Sequence, residues 1–404
     1  MTPSAAPTYR RSERMTTGLT EDTMPFKGRE VRSGEGRGRL FGLLAAALVA
    51  LFNSSVAALA DEKPQLKIGV LLSLSGGLEQ WCSYMRQGVE LAASEHEGEG
   101  VTVIVEDDHS VEKRATLGAA RRLLDIESVD ALYTWTPSSV SILTPLAKKH
   151  RVPLIAGAYN EQIAQAGDYV FGAVVNNLLT PRDIARFFKA RGASRVGLVL
   201  AADDWSTSFE QPFRAEAGSL GLNVVYSATV SPSETETRAV VTSLKQRHVD
   251  AVLAPLYGNA LLSFIRRHRE MKAESLINVG DGMFESDITA LGGAAEGVTA
   301  MQLSVESPAL SEKVRKRFGK TYDPLQLGLV ASGYDVMVHL IQAAAELRNE
   351  GLPVNGENLN RLLKSFASSG YLGQHMFGAA PPGSGEETTV VEGGRYRLAS
   401  KPAP

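Results

Sequence analysis

From Gln65 onward, apolar residues fall into short continuous runs separated by longer stretches in which they recur every three or four positions. The runs are too short to be helices and the stretches between them carry one apolar face, which is the pattern of buried strands linked by crossover helices. Leu66–Leu72 reads as a buried strand followed by a helix over Tyr84–Ala93, and Val101–Val105 with Lys113–Leu124 repeats the unit. Ala131–Tyr133 with Ser138–His150 makes a third unit, and Pro153–Ala156 a fourth strand. After Thr180-Pro181 a second series opens, with strands over Arg195–Leu200, Asn223–Tyr226, Ala251–Ala254 and Leu276–Val279. Its helices fall over Asp183–Ala190, Phe209–Ser219, Thr237–Arg247 and Ala260–Met271. Tyr334–Leu347 predicts a further long amphipathic helix, and Thr388–Leu398 a hairpin turned by Gly393-Gly394. The expected fold class is α/β, in two similar doubly wound halves.

The N-terminus sets the compartment. Leu40–Phe52 is an apolar run preceded by Arg29, Arg32, Arg37 and Arg39 and followed by Ala58-Leu59-Ala60, the small-x-small pattern of a signal-peptidase site. Residues 1–60 read as leader and signal peptide, with cleavage near Ala60-Asp61 and a periplasmic product. The run falls short of the roughly 20 residues that span a bilayer. Cys82 is the single cysteine, so no internal disulfide is expected, and it lies too far from the cleavage site to carry a lipid anchor. The first 60 residues hold 8 of the 42 basic and 5 of the 45 acidic residues, leaving a net charge of −6 on the remainder. Such a surface offers nothing to nucleic acid.

In open α/β sheets, ligands bind beyond the carboxyl ends of the strands. Those loops carry Trp81 beyond the first strand, Trp135, Ser138 and Ser139 after the third, and Ala158, Tyr159 and Asn160 after the fourth. In the second half they carry Asp203, Asp204 and Trp205, then Tyr257, then Gly280-Asp281-Gly282. Thr136 is placed to cap a helix with Pro137 in its first position, leaving the N–H groups of Ser138 and Ser139 for an anionic or carbonyl oxygen. Aromatic residues in polar loops are poor core candidates, so Trp81 and Trp205 are expected to line a cleft. Cys82 reads as a packing residue, and Glu106-Asp107-Asp108 as a cap and brace for the loop after the second strand.

Taken in order, Ile68-Gly69-Val70, Leu74-Ser75-Gly76, Val103 to Asp108, Val152-Pro153-Leu154-Ile155 and Gly280-Asp281-Gly282 resemble the type I periplasmic solute-binding proteins of ABC importers, the branched-chain amino acid and amide binders. The resemblance covers about Gln65 to Leu398. It implies two Rossmann-like lobes joined by a three-stranded hinge, one holding residues 65–176 plus 304–383 and the other 177–303 plus 384–400. It also implies that Ser138, Ser139, Ala158 and Asn160 grip the carboxylate or amide of a small solute, that Asp281 takes its ammonium, and that Trp81, Trp205 and Tyr257 stand at the mouth, where Tyr159 would make a fourth aromatic in the same small cleft. Three places depart from the family pattern: Tyr159-Asn160 replaces the usual hydroxyl after the fourth strand, Pro137 sits where a ligand-contacting serine is common, and Asp281 is one methylene shorter than the glutamate of the best-known members.

The implied partners are a small amino acid, amide or aromatic acid and an inner-membrane ABC permease, with the chain a monomer. No cofactor or metal is expected. Enzyme motifs are missing: there is no Gly-x-Gly-x-x-Gly after a strand, no phosphate-binding loop, no His-Glu-x-x-His and no Gly-x-Ser-x-Gly. The alternatives kept open are a ligand sensor of the same fold and, behind it, an exported hydrolase.

Overall fold

The computed structural model describes residues 65–399 apart from Met376 and Pro382; the leader over residues 1–60 and its cleavage site lie outside the described residues. The first sheet is built from β1 (Leu66–Leu72), β2 (Val101–Asp107), β3 (Ala131–Thr134), β4 (Leu154–Tyr159) and β5 (Val170–Asn176). All its pairs are parallel, in the spatial order β2-β1-β3-β4-β5. Side chains alternate across it, Ile68, Val70 and Tyr133 facing one core and Leu71, Leu132 and Leu154 the other, so both faces are buried under helices. Those helices include α1 (Glu79–Glu95), α2 (Lys113–Arg121) and α3 (Pro137–His150), and a short α4 (Glu161–Ala166) follows β4.

After β5 the chain crosses to a second sheet through α5 (Thr180–Ala190). There β6 (Arg195–Ala201), β7 (Asn223–Val230), β8 (Ala251–Leu253), β9 (Leu276–Asn278) and β10 (Thr299–Gln302) repeat the same order, β7-β6-β8-β9-β10. Among their connections are α6 (Asp204–Ser208), α7 (Glu210–Ser219), α8 (Arg238–Gln246), α9 (Gly258–Glu270) and α10 (Glu285–Leu291). The chain then returns through α11 (Pro308–Phe318), α12 (Pro324–Asn349), α13 (Gly356–Leu363) and the small hairpin β11 (Ser368–Gly370) and β12 (Gly373–His375). It crosses a third time to add β13 (Glu387–Glu392) and β14 (Arg395–Leu398) as an antiparallel edge to the second sheet.

The helix expected over Tyr334–Leu347 begins ten residues earlier. Asp323 caps it, accepting from the backbone of Leu325 and Gln326, Pro324 takes the first position, and Gln326 closes a capping box. Glycines set its packing: a Cβ on Gly88 would come within 1.9 Å of the Val330 carbonyl, and one on Gly333 within 2.1 Å of the Met85 carbonyl. α1 and α12 therefore meet backbone to backbone, and α12 is apolar because it is the core helix of this lobe.

In both sheets the strand order reverses beside the first strand of the series, between β1 and β3 and between β6 and β8. Those are the switch points at which connections diverge and a crevice opens beyond the strand ends.

Candidate functional site

The two crevices share one cleft of about 570 Å³. From the first lobe it is lined by Gly77 and Leu78 of the β1–α1 loop, by Trp81 and Cys82, by Ser110, Val111 and Lys113 after β2, and by Trp135 to Ser138 with Ser141 and Ile142 after β3. From the second come Asp203, Asp204 and Trp205 after β6, Tyr257 after β8 and Asp281 after β9.

Apart from Lys113, the polar side chains behind the wall from the first lobe are bonded among themselves or to nearby backbone. Thr136 caps α3, its hydroxyl accepting the Ser139 N–H at 3.2 Å and donating to Ser139 Oγ at 2.8 Å. Ser139 Oγ donates on to Asp108 Oδ2 at 2.6 Å, while Asp108 Oδ1 accepts Ser73 Oγ at 2.5 Å and the Val111 N–H at 3.1 Å. Ser110 Oγ donates to the Ser75 carbonyl at 2.7 Å and accepts the Leu78 N–H at 3.2 Å. Asp107 is partly desolvated, yet hydrogen bonds from Ser75 and from the His109 and Leu74 N–H groups outweigh that and hold its carboxyl below the ordinary range. Together these bonds pin an unusual turn: His109, Ser110 and Val111 are all left-handed, with φ of 51°, 58° and 64°. Three such residues in a row without glycine, one of them β-branched, constitute backbone strain in the wall of a cleft. Cys82 is buried, and burial pushes its thiol up to about 12, so it packs and does not react.

The opposite wall is charged and short of donors. Asp281 sits between two glycines with different jobs: Gly280 adopts φ +60°, and a Cβ on Gly282 would meet the Leu256 carbonyl at 2.2 Å and the Trp205 ring at 2.9 Å. Trp205 Nε1 donates to Asp281 Oδ1 at 3.0 Å, and no other described side chain bonds that carboxylate. Burial pushes the Asp281 carboxyl up to about 6. Behind it, Glu386 is raised well above its ordinary range by burial and then by the Asp281 charge, although it accepts Thr180 Oγ1 at 2.7 Å. Asp203 is also raised by burial, and its Oδ2 is buried with no hydrogen-bond partner. Trp205 stacks edgewise on Tyr257, centroids 5.8 Å apart.

Of the residues expected to contact a solute, Trp81, Ser138, Trp205, Tyr257 and Asp281 come together here. Ser139, Ala158, Tyr159 and Asn160 do not line the cleft. Ser139 is fully buried and its N–H is consumed by the cap, so only Ser138 keeps the exposure expected of the pair. Asn160 caps α4, accepting the Ile163 N–H at 2.9 Å, and Tyr159 packs over Gly172. The reason lies in Trp135, whose ring covers the end of β4 so closely that a Cβ on Gly157 would stand 2.1 Å from it. Trp135 thus takes the aromatic place expected of Tyr159, and all three tryptophans of the chain line the cleft.

Across the rim the lobes touch. Ser141 Oγ donates to Asp204 Oδ2 at 2.9 Å, Ser286 Oγ to Gln80 Oε1 at 2.7 Å, and Trp81 packs on Phe284 with centroids 4.3 Å apart. Sequence reasoning passed over Val111, Lys113 and Ser141. The first two follow β2 and fall under the same strand-end rule that found the other loops; Ser141 is one helical turn from Pro137 on the same face. Asp108 braces the β2 loop as expected, but the cap of α2 is Glu112, which accepts the Ala115 N–H at 2.6 Å.

The family model described as a periplasmic binding protein matches residues 65–387. A Leu/Ile/Val-binding protein homolog 6 from Brucella melitensis biotype 1 is 26% identical over 319 residues, covering 74% of this chain and 80% of that protein. Among solved structures, a leucine-binding protein from Thermotoga maritima superposes with a TM-score of 0.71 at 22% identity, covering 83% of this chain and 98% of its own. A solute-binding protein of an ABC transporter from R. palustris, in complex with 4-hydroxybenzoate, gives 0.69 at 18% identity, covering 83% and 95%.

Proposed function

As the chain belongs to the periplasmic binding protein family, we propose that it is the extracytoplasmic solute receptor of an ABC importer and that its cargo is an amino acid or amide with an apolar body, presenting a positive or N–H donor group to Asp281. One observation carries this reading: in a tryptophan-lined cleft, the Trp205 indole is the one described side chain that bonds Asp281, which leaves a carboxylate with room for a donor from the solute. The amine or amide of the solute supplies it, and the rings of Trp81, Trp135, Trp205 and Tyr257 take the apolar body, with cation–π attraction adding to burial for a charged amine.

In this reading residues 65–176 plus 304–383 and residues 177–303 plus 384–400 move as two bodies about the three crossings. The open form admits solute, and the bonds Ser141 to Asp204 and Ser286 to Gln80 form on closure. The closed face is what an inner-membrane permease reads, the chain acting as a monomer delivered to the periplasm by cleavage near Ala60-Asp61. No step of this cycle asks the protein to make or break a covalent bond.

Residues 61–404 titrated with amino acids, short amides and aromatic acids test the cargo. With every tryptophan in the cleft, intrinsic fluorescence reports occupancy, and ligand at a hundredfold excess over its dissociation constant stabilises by about 2.7 kcal/mol, visible in the melting temperature. Amino acids or amides should bind. Binding confined to aromatic acids without an amine or amide would overturn the role of Asp281 and keep the aromatic cleft.

A further inference from the structure

Among the described residues, Lys113 is the one basic side chain in the lining of the cleft, against Asp203, Asp204 and Asp281 on the facing wall. It is exposed at the first position of α2, and no described group accepts a hydrogen bond from its ammonium or pairs with it. The turn that delivers it is the strained His109–Val111 segment, held by Asp107 and Asp108, so its place is fixed at the expense of backbone conformation. Of the two places in the first lobe expected to hold an anion, the end of β4 is covered by the Trp135 ring over Gly157, and the start of α3 keeps Ser138 in the lining but has its Ser139 N–H taken by Thr136. The cleft is therefore polarised, with its one cation in the first lobe and its carboxylates in the second.

Resting on the cargo reading above, we propose that Lys113 is a specificity residue that takes an anionic group on the solute. The preferred cargo is then a zwitterion whose carboxylate stands across an apolar, ring-sized body from the amine that meets Asp281. Asp281 at one end and Lys113 at the other select for the two charges together, and a solute carrying only one of them forgoes one ion pair.

The test uses benzylamine and para-(aminomethyl)benzoate, which share a ring and an amine and differ by a carboxylate at the far end, with benzoate as the acid alone. Calorimetric titration of the native chain should give para-(aminomethyl)benzoate an advantage over benzylamine of about tenfold. Lys113→Met should erase that advantage, and Lys113→Arg should retain most of it. Equal affinity for the two amines in the native chain, or an advantage that survives Lys113→Met, overturns the role of Lys113 and leaves the Asp281 reading standing. Binding of benzoate with neither amine bound overturns both, as does silence from all three probes.

Discussion

The two walls of the cleft are built from the same loops of the same βα units and use opposite economies of polar groups. In the first lobe, Asp107, Asp108, Ser73, Ser110, Thr136 and Ser139 are bonded to one another or to nearby backbone, and Asp107 titrates below its ordinary range. In the second, Asp203 and Asp281, with Glu386 behind them, titrate above theirs because burial, joined for Glu386 by the Asp281 charge, outweighs the hydrogen bonds they accept. A satisfied network makes a stiff wall that provides shape, and an unsatisfied one makes a wall that is completed by what binds. The difference teaches where to look for recognition in a fold with internal pseudo-symmetry: at the charges without a partner, which are Lys113 on one wall and the carboxylates on the other.

Breaking the satisfied side should have the largest effect. Asp108→Ala strands Ser73, Ser139 and the Val111 N–H at once, and the ligand-free protein should lose about 3 kcal/mol in urea unfolding. A loss below about 1 kcal/mol would mean that water substitutes for the carboxylate and that the wall is not stiffened by it.

Asp281→Asn attacks the other side and should separate stability from binding. An amine-bearing ligand should weaken roughly a hundredfold, about 2–3 kcal/mol. Stability should move the other way. A carboxyl raised from 3.8 to about 6 keeps its proton in the folded chain over a range where the unfolded chain has released it, so it opposes folding increasingly as pH rises from about 4 to 6 and by a constant amount above. Ligand-free Asp281→Asn should therefore melt higher than the native chain at pH 7 and nearly equal to it at pH 4. A variant that melts lower at pH 7 would show that the indole bond outweighs the half-buried charge.

Gly157→Ala tests the claim that Trp135 closes the end of β4. The added methyl has no room beside the ring, so overpacking should cost about 1–3 kcal/mol and shift the emission of Trp135, although the substituted residue does not itself line the cleft. An unchanged spectrum and melting temperature would place the ring elsewhere in solution.

How far the sequence could be read follows the same divide. Strands buried on both faces announce themselves as apolar runs, so β1, β3, β6 and β8 were legible, and so was the hairpin turned at Gly393-Gly394. β5 was passed over because Gly172 interrupts it, a glycine required by the Tyr159 ring above. The first turns of α12 were hidden by Gly328, Ser332 and Gly333, which weaken helix propensity but let the helix lie against Leu303 and Met85. In the site, loops at strand ends could be named from the strands alone, and Trp81, Trp205, Tyr257 and Asp281 do meet. The direction of the Trp135 ring could not be, because it depends on tertiary packing. Nor could the left-handed turn after β2, since His109-Ser110-Val111 has no glycine to betray it.

That turn permits the finest test of the comparison. A β-branched residue in the left-handed region is strained, whereas glycine enters that region freely but has more conformational entropy to lose on folding. The two effects oppose each other, so Val111→Gly should stabilise the ligand-free protein by only about 0.5–1 kcal/mol, measured as a shift of the urea midpoint at unchanged slope. If the strain exists to hold the wall of the first lobe in place, the same variant should bind its ligands less tightly despite folding more firmly, because a wall freed to move must be ordered again on closure. A gain in stability with unchanged affinity would mean the turn is tolerated and not used, and the stiffness of that wall would then rest on Asp107 and Asp108 alone.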